Sequence, residues 1–264
     1  MQQLSNDYIM LTGLLILALV GLLGALTHRR SRLENKIYKN VPLSEWLVVL
    51  ILPVSLYLGW FFIVDHILER PKTTIFPLDD FDIIAITILF MIYGFVGNAI
   101  HFTGKILWRY LRKNPKAMAY RINEMFHGKL SHYLVFLNGM MIAFLLAVLE
   151  FNHPIQLGVT SAYSGWVVLG AIVFGISGSK AVFYSNEWFG GYNKPLFFVI
   201  SALLSILFLF YRIYNLKFIF YPVNLFIISL GVAFLSTFVF RQVFIFTKLG
   251  QKRRLRFLAK FLSV

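Results

Sequence analysis

Apolar residues run along the chain in seven blocks of about twenty residues, each closed off by charge, proline or glycine. Coiled as an α-helix at about 1.5 Å per residue, such a block crosses the roughly 30 Å hydrocarbon core of a bilayer. The pattern predicts spans at 8–27, 45–64, 83–104, 132–150, 163–184, 195–214 and 221–246. The last two are divided at Asn215-Leu216-Lys217, just before Pro222; proline suits the first turn of a helix. Residues 115–127 and the tail 248–264 have a different pattern. Met118, Ile122, Met125 and Phe126 recur at helical spacing, as do Leu255, Leu258 and Leu262 among basic residues. Both segments read as amphipathic helices on a membrane surface. The predicted fold class is all-α: a polytopic transmembrane helix bundle forming a single domain over 1–264.

Charge adds an orientation. Basic residues gather in alternate loops: Arg29, Arg30, Arg32, Lys36 and Lys39 after span one; Lys105 to Lys129 after span three; Lys194 after span five; and Lys248 to Lys260 in the tail. The intervening loops carry only Arg70, Lys72, Arg212 and Lys217. By the positive-inside rule the N-terminus lies outside and the C-terminus in the cytoplasm. A bacterial inner membrane is the expected location, with anionic lipids at the cytoplasmic face as partners of the basic segments. The net charge of +14 follows from these loops, so no nucleic-acid partner is inferred. The opposite face carries Asp65, Glu69, Asp79, Asp80 and Asp82. These acids could hold a divalent cation, but Asp79 to Asp82 stand where carboxylates cap a helix, and capping is the preferred reading.

Composition agrees with a lipid solvent. Hydrophobic residues make up 59% of the chain and charged residues 14%, against about 45–50% and 25% in soluble domains. The chain has no cysteine, which excludes disulfides, thiolate metal sites and iron–sulfur clusters. Trp46, Trp60, Trp166 and Trp188 fall near span ends, as interfacial belts require. Small residues at four-residue spacing mark spans four (Gly139, Ala143, Ala147), five (Ala171, Gly175, Ser179) and seven (Ser229, Ala233, Thr237), and Gly94 and Gly97 mark span three. These four spans are expected to form the tight centre of the bundle, with one, two and six around them.

Candidate chemistry concentrates at the cytoplasmic ends. Gly94, Asn98, His101 and Lys105 share one face of span three; Asn138 follows on span four, Lys180 on five and Arg241 on seven. Asn98, His101, Asn138, Lys180 and Arg241 could together line a cationic cavity suited to an anion or a phosphorylated headgroup. His101 and His132 lie at similar depth on adjacent antiparallel spans, so they could also ligate haem b, with His127 as an alternative partner. Gly175-Ile176-Ser177-Gly178 matches a rhomboid-type serine motif, but no histidine follows His153 to act as its base. Span seven has no mid-helix lysine for a retinal Schiff base, and no H-E-x-x-H or phosphate-binding loop is present. No catalytic or metal-ligating residue is therefore assigned. The leading expectation is a non-enzymatic membrane protein that binds or transports an anionic solute or lipid headgroup. The alternatives are a structural subunit partnered by other membrane subunits, and a b-type haem electron carrier.

Overall fold

The computed structural model describes residues 2–27, 36–39, 41–182 and 193–262. Arg29, Arg30, Arg32 and Trp188 lie outside them. The chain is helical almost throughout: α1 (Gln2–Thr27), α2 (Leu43–Leu68), α3 (Asp80–Leu111), α4 (Met118–Phe151), α5 (Ser161–Val182), α6 (Asn193–Ile213), α7 (Pro222–Thr247) and α8 (Gln251–Leu262). A two-residue hairpin, Ile37–Tyr38 (β1) against Val41–Pro42 (β2), leads into α2. Among the described residues six helices, α2 to α7, are long and apolar enough to cross a membrane. Their outward side chains, such as Leu58, Ile92, Leu209 and Phe240, are exposed and apolar. This fits an integral, multi-pass membrane protein. The described apolar stretch of α1 is shorter, Met10–Leu23.

Sequence features account for the helix ends. Asp79 caps α3, its Oδ1 accepting from Asp82 N–H at 2.9 Å, so one acid of the Asp79–Asp82 group does cap. Asp80 pairs with Lys72 at 2.9 Å. Asn215, at φ 50°, makes the left-handed turn between α6 and α7. The amphipathic segment expected at 115–127 does not stand apart: it runs into span four as one helix through a π-turn at Met125–Leu130.

Close packing follows glycines. Within α3, Gly97 meets Leu134 and Val135 of α4, and a Cβ there would lie 2.6 Å from Leu134 Cβ. On α5, Gly175 meets α7, where a Cβ would lie 2.5 Å from the Leu230 carbonyl. The four small-residue spans thus pack as two pairs, α3–α4 and α5–α7, and not as a single centre. Helix α1 takes the position between α2 and α5. It does so through Gly13 against Ile63 and Gly21 against Phe174, while Gly59 of α2 receives Leu17. Met10, Leu14 and Ala18 of α1 are buried.

One polar network ties these parts together at one end of the bundle. Glu150, fully buried at the end of α4, pairs with Arg70 at 3.0 Å. Its carboxylate also accepts from the backbone N–H groups of Val223 (3.1 Å) and Asn224 (2.7 Å). These are free donors in the first turn of α7, so a carboxylate from a neighbouring helix caps α7 and meets its dipole. Asn224 Nδ2 bonds both Glu150 (3.1 Å) and the Ala147 carbonyl (2.9 Å). Arg70 further donates to the His153 carbonyl at 3.1 Å and touches Met10 Sδ of α1. Asn152 holds the 69–79 loop, accepting from Phe76 N–H at 2.7 Å.

Removing one partner of a buried pair leaves the other uncompensated, at a cost of about 3–5 kcal/mol. Glu150→Ala should destabilise the detergent-solubilised protein by that amount, whereas Asp65→Ala, at an exposed position, should leave it unchanged. Thermal unfolding followed by helical circular dichroism checks this; coincident curves for Glu150→Ala and wild type would remove the clamp from the account.

Candidate functional site

A cavity of about 590 Å³ opens between the α3–α4 pair and the group formed by α1, α5, α6 and α7, with α2 along one side. Its wall is apolar over most of its length, with Leu14, Trp60, Phe95, Phe174, Leu204 and Phe234 as representative residues. Polar side chains collect at the end away from Glu150: Glu45, Asn98, His101, Lys105, His127 and His132.

Each of these is placed by a local feature of the chain. His101 and Lys105 are four residues apart in α3 and so share a face. His127 and His132 are five apart, which puts them about 140° from each other around a regular α-helix. The π-turn at Met125–Leu130 takes in one additional residue and brings both onto one face; π-turns of this kind occur frequently at functional sites. Gly104 then lets α3 approach. A Cβ there would lie 2.5 Å from His127 Cβ, and Asn123 fastens the contact by donating to the Gly104 carbonyl at 3.0 Å. Glu45 sits in the first turn of α2, just before a second π-turn at Leu47–Ile51. Pro53, which has no N–H to give to the helix ladder, follows.

The result is a compact cluster. Ring centroids are 4.7 Å apart for His101 and His127, 5.0 Å for His101 and His132, and 6.0 Å for His127 and His132. The Glu45 carboxylate lies 3.5 Å from Lys105 Nζ and 3.9 Å from His101 Nε2, and its side chain is only 10% exposed. His132 Nδ1 is hydrogen-bonded to the Gly128 carbonyl at 3.0 Å. Among the described residues, no three histidine or carboxylate groups converge on a point where a metal ion would sit.

Of the residues singled out in the sequence, Asn98 and His101 line the cavity. Asn138 is buried against Gly94 of α3, with its Nδ2 bonded to the Leu134 carbonyl. Lys180 is exposed at the end of α5 and Arg241 half-buried on α7, and neither is on the cavity wall. A porphyrin between His101 and His132 would need rings now 5.0 Å apart to separate. The space above Gly97 is filled by Leu134, while Gly139 has nothing within 4 Å. Glu45 was not among the expected residues. Its signal was a lone acid at the basic end of a span.

Gly104→Ala should force α4 away from α3 and cost about 1–3 kcal/mol, as overpacking does. Gly139→Ala, facing open space, should be neutral or slightly stabilising through helix propensity. Unfolding curves of the two variants check the contrast, and equal stability would show that the Gly104 approach is not tight. The chain matches no known family model, no curated protein and no solved structure.

Proposed function

We propose that the protein binds an amphipathic lipid, seating an anionic headgroup among Lys105, His101 and Asn98 and its apolar chain along the cavity between the two helix groups. The observation that carries this reading is the division of the cavity wall, polar at one end and apolar along the rest. A small hydrophilic anion would leave most of that wall in contact with nothing it favours; a lipid satisfies both parts. The volume, about 590 Å³, is in the range of ligand sites, roughly 300–1,000 Å³. Transport follows if the headgroup can exchange with water at the polar end.

The reading includes a topology: seven spans, with α1 as the first, the N-terminus outside and the C-terminus cytoplasmic. Lys105, Arg109, Arg112 and Lys113 at the histidine end support it through the positive-inside rule. Helix α8 adds Lys252, Arg253, Arg254 and Arg256 beside an exposed Leu255. It would lie on the anionic cytoplasmic leaflet, with Phe257 packed on Phe246 of α7 at 5.3 Å.

Two measurements test these parts. The chain has no cysteine, so single cysteines can be introduced directly. In intact cells an impermeant maleimide should label Leu157→Cys and spare Lys113→Cys; the reverse pattern would invert the topology. Lipid binding can be read from quenching of tryptophan, including Trp60 on the cavity wall, by lipids with brominated chains. A phosphate-headed lipid should quench at lower concentration than a zwitterionic one. Lys105→Ala should weaken it about tenfold, and Lys180→Ala should not change it. Equal curves for both lipids and all variants would exclude the headgroup site.

A further inference from the structure

The cavity has a floor as well as a mouth. Among the described residues its wall reaches no further toward the Glu150 end than Leu14 on α1, Trp60 on α2, Leu146 on α4 and Val223 on α7. Leu14, Leu146 and Val223 are almost completely buried. Directly behind them stands the clamp, whose carboxylate accepts from the Val223 N–H at 3.1 Å. Trp60 belongs to the same level, because its neighbour Gly59 receives Leu17, one turn along α1 from Leu14. The floor is thus tied to a buried ion pair and does not give way as a loose apolar end would.

Two helices give the depth independently. On α4 the wall runs from His132, whose ring meets His101 at the polar end, to Leu146, which is fourteen residues or about 21 Å. On α2 it runs from Glu45, 3.9 Å from His101, to Trp60, fifteen residues or about 22 Å. An extended peptide advances about 3.3–3.6 Å over its three backbone bonds, so an extended hydrocarbon chain advances roughly 1.2 Å per carbon and meets the floor after about seventeen. A methylene is about as large as a water molecule, whose share of the liquid is roughly 30 Å³, so one such chain fills about 500 Å³. The cavity holds about 590 Å³, which leaves room for a headgroup and none for a second chain.

We infer that the ligand is a single-chain amphiphile with a phosphate headgroup and one chain of about sixteen to eighteen carbons, measured between the polar mouth and the clamp. This rests on the lipid reading and sharpens it to a substrate class. The selection is against the surroundings as much as for the ligand. The two-chain lipids of the bilayer outnumber any minor species, and a cavity that seats one chain rejects them by volume. A chain that is too short leaves the floor without contacts, and one that is too long lifts its headgroup away from Lys105 and His101.

The test uses the full chain in detergent and monoalkyl phosphates of ten to twenty-two carbons, compared at equal mole fraction in the micelle by competition with a chain-brominated probe. Affinity should peak at sixteen to eighteen carbons. The ten- and twenty-two-carbon compounds, and two-chain phosphatidic acid, should each bind at least fivefold more weakly. Trp60 reads the depth directly: a sixteen-carbon phosphate brominated at its chain end should quench it, and one brominated at the sixth carbon should not, with Trp60→Phe isolating that signal. Leu146→Ala lowers the floor and should move the optimum up by about two carbons. Unfolding curves show whether this variant folds, and the position-resolved quenching of the wild type decides the matter if it does not. A flat length dependence, equal quenching from both bromine positions, or phosphatidic acid bound as tightly as the single chain would overturn the inference while leaving phosphate-dependent lipid binding in place. Absence of phosphate-dependent quenching at every length would remove the lipid reading, and this inference with it.

Discussion

The buried carboxylate of Glu150 is the constraint around which the bundle is arranged. A charge without water is tolerable only with a partner and with its lone pairs filled. Here Arg70 supplies the charge, and the first turn of α7 supplies the donors. Pro222 fits this arrangement because it has no N–H of its own, so the first donors the helix offers are those of Val223 and Asn224. In lipid the hydrophobic effect does not choose between helix partners. A polar contact joining the α2–α3 loop, α4, α7 and α1 therefore carries more of the specificity than it would in water.

The helices themselves were readable from the chain because the bilayer sets their length. The expected spans 83–104 and 163–184 fall within or close to α3 (Asp80–Leu111) and α5 (Ser161–Val182). Their mutual arrangement was harder to read. Apolar residues facing lipid and apolar residues facing another helix look alike in sequence, so only small residues and polar groups give a signal. That signal identified the Gly97 and Gly175 contacts. It missed Gly13 and Gly21, which bring α1 into the middle, because they stand eight residues apart in a leucine-rich stretch with no small residue at the intervening four-residue step.

The site divides in the same way. Asn98, His101 and Lys105 share a face by regular helical spacing and were legible together. His127 and His132 were separated by a spacing that a regular helix sends to different sides, and only the π-turn unites them. Glu45 joins the cluster through the hairpin and the second π-turn, both of which depend on tertiary context. Lys180 and Arg241 carry the charge that a cationic cavity invites, but neither lines it. Charge type could be read from sequence there; direction could not.

The clamp and the polar mouth of the cavity lie at opposite ends of α4, so any rotation about the clamp acts through a long arm. Glu150 and His132 are separated on α4 by about 27 Å at 1.5 Å per residue. A tilt of five degrees about the clamp displaces the histidine end by roughly 2 Å over that length. The fulcrum is stiff, since charge and hydrogen bonds hold it, and the load arm borders open volume. A small rotation about the clamp therefore changes the width of the polar mouth far more than it changes the packing around Glu150.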